Sequence, residues 1–187
     1  TQPIFLCVDD TMVAKAGTRF ENVSKLFDHA AHNGSNYLNG HCFVSIMLCV
    51  PVWNQDKISY LSVPLGYRMW KKKESKLELA ATMIRKVMPE FQSREHVIIL
   101  CDSWYTKQNL VCIVNEYPNL DLIGNARIDS VMYDLAPAHT GRRGRPAKHG
   151  KQLSVETDFT LSNKKIGDYY TGVRRVLTKI FGDREVL

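Results

Sequence analysis

Ile4-Phe5-Leu6-Cys7-Val8, closed by Asp9-Asp10-Thr11, and Val97-Ile98-Ile99-Leu100-Cys101, closed by Asp102, are the two stretches that decide the fold. Each is apolar at every position, as a strand is when both of its faces are covered, so each reads as an interior strand of a sheet. Each also ends in an acid. Between them, His41 to Val50 reads as a long buried strand. Asn54-Gln55-Asp56-Lys57 reads as a turn and Ile58 to Val63 as the antiparallel partner, which Pro64 and Gly66 bend or end. From Glu74 to Met88 the period changes. Leu77, Leu79, Ala80, Met83, Ile84, Val87 and Met88 recur mostly three and four apart until Pro89, which predicts an amphipathic helix.

Outward from these stretches, Trp104 to Glu116 predicts a second helix, with Asp102 or Ser103 as its N-cap and Pro118 just past its end. Leu120 to Arg127 predicts a shorter strand, and the thirty or so residues after Asp10 carry loop signals. The order is three strands, helix, strand, helix, strand. It gives an α/β fold, a mixed sheet with helices packed on it. From Ser130 onward the character changes, with Gly141, Gly144, Pro146 and Gly150 close together and then short alternating segments. Residues 1–129 are expected to form the core, and 130–187 a β-rich insertion or the start of another subdomain.

The composition agrees with a globular domain: 187 residues, 44% hydrophobic and 24% charged. No apolar run reaches the ~18 residues of a membrane helix, and Thr1-Gln2-Pro3 leads into a strand without a signal peptide's basic stretch. Five cysteines, an odd number with no C-x-x-C pair, lie within apolar runs and read as reduced core thiols of a cytoplasmic protein. Secreted, membrane and zinc-finger classes are thereby disfavoured.

Ligands of open α/β sheets bind outside the carboxyl ends of parallel strands. If the two acid-closed strands are neighbours, Asp10 and Asp102 converge on one point. Two carboxylates that close repel, so a proton or a cation sits between them. Oxygen donors with no adjacent His or Cys side chain select Mg²⁺ or Mn²⁺. The plainer alternatives are a solvated turn for Asp9-Asp10 and a helix cap for Asp102. His29 and His32, near Asp28, read as surface residues rather than metal ligands. Lys71-Lys72-Lys73 reads as a solvated run, and Trp70 and Trp104 as core or rim aromatics. Trp104 and Tyr105 follow Asp102 closely enough to allow base stacking near the site.

Val8-Asp9-Asp10-Thr11, Gly40-His41-Cys42-Phe43-Val44-Ser45 and Ile99-Leu100-Cys101-Asp102 resemble the DDE transposases of bacterial insertion sequences, in their order and spacing more than in any single motif. The resemblance implies a ribonuclease H-like mixed sheet with flanking helices, and DNA transposition by metal-dependent phosphodiester cleavage and strand transfer. It makes Asp10 the first catalytic and metal-binding acid, with Asp9 as fallback, and Asp102 the second. Two Mg²⁺ ions ~4 Å apart would activate the attacking oxygen and stabilise the leaving one. Water would first free a 3′-hydroxyl, which would then attack target DNA. The implied setting is a bacterial, nucleoid-associated protein on transposon ends and target duplex, with homodimerisation on DNA left open. The family's third acid is a Glu preceded by Tyr and Arg and followed by Lys at set spacing. No Tyr here has Arg three residues on, and Glu156 and Glu185 are the only later glutamates. The chain is thus expected to be a fragment or degenerate copy that stops short of that acid and is inactive alone.

Net charge is +6, and Arg142, Arg143, Arg145, Lys148 and Lys151 supply five positive charges within ten residues. Without them the balance falls to +1. This loop is the expected nucleic-acid-binding element. Arg143-Gly144-Arg145-Pro146 also matches the core of a minor-groove AT-hook, and Gly141-to-Gly150 resembles a basic segment of the same transposases. Three readings stay open for it: a solvated loop, phosphate contact without sequence reading, and minor-groove reading. Two rivals complete the field: a non-catalytic DNA-binding remnant, and a phosphoaspartyl receiver-like domain. Two long adjacent strands after the first acids count against the second.

Overall fold

The structure, a computed structural model, describes residues 2–17, 19–27, 36–127, 129–138, 141, 144–163, 165–179 and 181–187. The chain divides into two compact units, residues 1–125 and 126–187.

In the first unit β1 (Ile4–Ala14) lies between β3 (Tyr37–Asn54), antiparallel to it, and β5 (Val97–Cys101), parallel to it. β6 (Leu120–Gly124) extends the sheet in parallel beyond β5. β2 (Ser24–Phe27) and β4 (Lys57–Met69) both pair with β3 on the edge away from β1. Acid-closed strands β1 and β5 are therefore neighbours.

The apolar alternation explains where the core lies. Leu6 and Val8 of β1, Val44 and Ile46 of β3, and Val97 and Ile99 of β5 are buried on one face. Helix α1 (Lys76–Val87) covers that face with Ala80, Ala81, Met83 and Ile84, joined by Met88, Tyr105, Leu110 and Ile113. α1 begins after Ser75, which has extended backbone, and carries Arg85 and Lys86 in its last turn, where the helix dipole favours cations. Pro89 converts its end to a 3₁₀ turn over Met88–Glu90.

Several boundaries differ from the sequence reading. β1 does not stop at Val8: Asp9 to Ala14 pair with Ser45 to Gly40, so the ladder, not burial, carries these polar residues. Pro64 and Gly66 do not end β4. Ile46 pairs with Gly66 and Met47 with Pro64, leaving Leu65 as a bulge on an edge strand that tolerates the missing N–H. The 54–57 turn forms as read, with positive φ at Gln55 (44°) and Asp56 (63°), the sign that type I′ hairpins require. The second helix starts later than Trp104: α2 is Gln108–Val111, continued by a 3₁₀ segment at Cys112–Glu116.

The second unit holds a sheet of β12 (Gly182–Val186), β11 (Arg174–Thr178), β7 (Met132–Tyr133) and β8 (Gln152–Leu153). A separate hairpin pairs β9 (Lys165–Ile166) with β10 (Tyr169–Tyr170). Among the described residues, no helix is long and apolar enough to cross a membrane. All five cysteines are free; Cys42 is buried and the other four are half-buried.

Candidate active site

Asp10 sits within β1, opposite Val44, on the face that holds Leu6 and Val8. Alternation along the strand gives Asp9 to the other face, where its Oδ1 accepts the N–H of Asp10 at 2.8 Å. Three donors converge on the Asp10 carboxylate. Lys76 Nζ, from the first residue of α1, lies 2.7 Å from Oδ2, and Cys42 Sγ donates to the same oxygen at 3.1 Å. Tyr105 Oη donates to Oδ1 at 3.2 Å.

Asp102 follows directly after β5, exposed, and organises the next turn. Its Oδ1 accepts the N–H groups of Trp104 (3.0 Å) and Tyr105 (3.2 Å), and its carbonyl accepts Thr106 Oγ1–H at 2.9 Å. Asp102 thus caps a turn rather than a helix, and α2 begins only at Gln108. Tyr105 is what the two acids share: its N–H is held by Asp102 and its hydroxyl by Asp10.

Gly124, opposite Cys101 in the β5–β6 ladder, gives this turn its room. A Cβ there would lie 2.6 Å from Thr106 Oγ1 and 3.0 Å from Cys101 Sγ. Gly124→Ala should therefore push Thr106 off the Asp102 carbonyl and cost about 1–3 kcal/mol, the range for overpacking. Denaturant titration checks this, and an unchanged midpoint would show that the turn simply yields.

Electrostatics follow from this packing. Burial holds the Tyr105 hydroxyl far above its ordinary pKa, and the Asp10 charge adds to the effect, so the group stays an O–H donor. Burial and the bond to Asp10 push the Cys42 thiol up to about 11. Desolvation works to lower the pKa of Lys76, but its bonds to Asp10 and Cys42 outweigh this, and the net shift is upward. Lys76 is thus a charged ammonium on a carboxylate.

Sequence reasoning singled out Asp10 and Asp102 but missed Lys76 and Cys42, and it gave Tyr105 another role. Tyr105 is fully buried, so it cannot stack on a base; Trp104, 41% exposed, keeps a ring in solvent. One signal did exist for Lys76. A cation in the first turn of a helix opposes the dipole, which suggests an anion from elsewhere. Among the described residues no group of three or more His, Cys, Asp or Glu side chains converges as a metal site. The oxygen donors that a hard divalent ion could use here are the carboxylates of Asp10 and Asp102. Asp10 already carries a cation on Oδ2, and Asp102 keeps Oδ2 outside the bonds of its turn.

In the second unit the basic segment spans the loop between β7 and β8. Its base is fixed by paired backbone bonds, Gly150 N–H to Asp134 O (2.8 Å) and Asp134 N–H to Lys151 O (2.9 Å). Arg145 and Lys148 are exposed. Lys151 forms an ion pair with Asp158. Arg142 and Arg143 lie outside the described residues, as do Asp28, His29 and His32.

A family model described as DDE superfamily endonuclease matches residues 1–176 of the 187. No curated protein and no solved structure matches the chain at a significant level.

Proposed function

We propose that this chain, which belongs to the DDE superfamily endonucleases, carries the DNA-cutting core of an insertion-sequence transposase on a ribonuclease H-like sheet. The observation that carries the reading is that Tyr105 bonds both Asp10, on β1, and Asp102, directly after the neighbouring parallel strand β5. The strand order supports it as well: four antiparallel strands, then two crossovers to strands parallel with β1. DNA is the substrate that membership implies, and such endonucleases are generally dependent on a divalent metal.

Asp10 and Asp102 would hold Mg²⁺ or Mn²⁺, which when bound supplies Lewis-acid activation of the attacking oxygen and stabilises the leaving one. Each neighbouring residue has its own task. Tyr105 fixes the rotamer of Asp10 through Oδ1 and, through its N–H, that of Asp102. Thr106 locks the turn that presents Asp102. The buried Val44 and Tyr105 beside Asp10 keep solvent from one side of the carboxylate.

Calorimetric titration with Mn²⁺ is the test. Binding by the parent chain and its loss in Asp102→Ala are the expected results; equal binding in both would remove Asp102 from the site. A second reading, DNA binding without cleavage, has one observation in its favour: Lys76 already neutralises Asp10. It predicts duplex binding with no Mn²⁺ titration at all.

The basic segment, of which Arg145 and Lys148 are exposed, would engage DNA phosphates. Replacing Arg142, Arg143 and Arg145 by Ala should weaken duplex binding and flatten its salt dependence by about 0.9 log units for each phosphate no longer neutralised. Fluorescence anisotropy across a salt series reads this directly, and an unchanged slope removes the loop from the interface.

A further inference from the structure

Lys76 occupies a position that its own helix disfavours, at the positive end of α1. Its ammonium lies 2.7 Å from Asp10 Oδ2 and 5.5 and 5.3 Å from the ring centres of Trp70 and Trp104. Both ring distances are within cation–π range. The rings are themselves held. Trp70 Nε1–H donates to the carbonyl of Glu74 at 2.6 Å, and the ring of Trp104 packs edge-on against Tyr105, 4.9 Å between centres. The two indoles thus flank the ammonium, which points at Asp10.

A divalent ion on Asp10 would need carboxylate oxygen at ~2.0–2.1 Å. The Asp10 oxygens are already committed: Oδ2 to Lys76 and Cys42, Oδ1 to Tyr105. An ammonium and a divalent ion on one carboxylate repel each other, and neither can bond the other. One must leave. The ammonium is on a flexible four-carbon stem, and the face of Trp70 beside it offers a resting place off the carboxylate; Trp104 already carries Lys107, 4.5 Å from its ring centre.

We propose that Lys76 is a positioning residue, the resident counter-ion of Asp10, which a divalent ion displaces and which then pairs with a phosphate of the bound DNA. The inference rests on the reading of Asp10 as a metal ligand. It assigns Lys76 two successive partners, both anionic: a carboxylate in the metal-free site and a phosphodiester in the loaded one. In the first state it keeps Asp10 from standing as an uncompensated charge against a buried wall. In the second it adds a positive charge beside the substrate.

The test is calorimetry with Mn²⁺ alone on the full chain. Lys76→Met, which keeps the stem length and removes the charge, should bind Mn²⁺ at least about 10-fold more tightly, because the binding-competent fraction of the site is no longer reduced by the ammonium. Lys76→Arg should stay as weak as the parent. If Lys76→Met folds poorly by circular dichroism, Lys76→Gln takes its place. Affinity in the uncharged variant equal to or weaker than the parent's overturns the competition. Adding Asp10→Asn to Lys76→Met separates the two readings: if tight binding persists, Asp10 is not a ligand, and no binding in any chain removes metal from the site altogether. For the phosphate, the salt slope of duplex binding should be about 0.9 log units shallower in Lys76→Met than in the parent when Mn²⁺ is present, and equal without it. Equal slopes in both conditions overturn the second partner.

Discussion

Asp10→Asn is expected to abolish Mn²⁺ binding, because the amide that replaces the carboxylate carries no charge and is a far weaker donor to a hard cation. The substitution is nearly isosteric and leaves the β1–β3 ladder untouched, so the fold should survive. What changes is charge. Lys76 and Asp10 are each about one-fifth exposed, 19% and 20%, so the pair is only partly screened by water. The amide can accept a bond from Lys76 but cannot offset its charge, and it offers a metal a far weaker donor. A stability loss of about 1–2 kcal/mol should accompany the loss of binding, in line with a weakened hydrogen bond to a charged group. Calorimetry and a thermal melt on the same sample separate the two effects. Unchanged Mn²⁺ affinity would take Asp10 out of the metal site and the proposed function with it.

Tyr105→Ala is expected to be the most destabilising single change at the site, on the order of 3–5 kcal/mol, as for other buried aromatics cut to alanine. The ring is fully buried within the core cluster, and its removal opens a cavity beside Asp10. For a chain of this size that corresponds to a fall in Tm of about 10 °C. Tyr105→Phe keeps the ring and removes only the bond to Asp10 Oδ1, so it should cost about 1–2 kcal/mol. The comparison assigns the hydroxyl and the ring their separate shares. A loss below about 1 kcal/mol for the alanine variant would mean that the site has no such pillar.

The parts of the fold that were legible are those whose cause is local. β5 is an uninterrupted apolar run, and α1 carries a complete helical period with Pro89 at its end. The parts that escaped depend on partners. β2 buries only Leu26 in any depth and exists because Lys25 and Phe27 find ladder positions opposite Asn39 and Tyr37. The polar half of β1 is a strand because β3 begins as early as Tyr37 and so reaches far enough to pair with it. α2 shrank because Asp102 spends the residues after it on a turn, even though Leu110 and Ile113 keep helical spacing. At the site, an acid closing a buried strand was a visible mark of both Asp10 and Asp102. Cys42 reaches Asp10 only through the register that sets it opposite Met12, and Lys76 only through the crossing of α1. Neither fact is written in the residues next to it.

The parallel ladder that sets Ile4 against Val97 and Val8 against Cys101 has a consequence for the order of events during synthesis. Pairings so distant along the chain form late, while the β1–β3–β4 meander can close as soon as residue 69 has emerged. Until β5 and Tyr105 follow, the nascent sheet presents an unpaired β1 edge, and Asp10 lacks its hydroxyl partner. The pocket around Asp10 therefore matures only once β5 has paired, and a ribosome stalled before codon 97 would leave a sticky half-sheet with neither Asp102 nor Tyr105 in place.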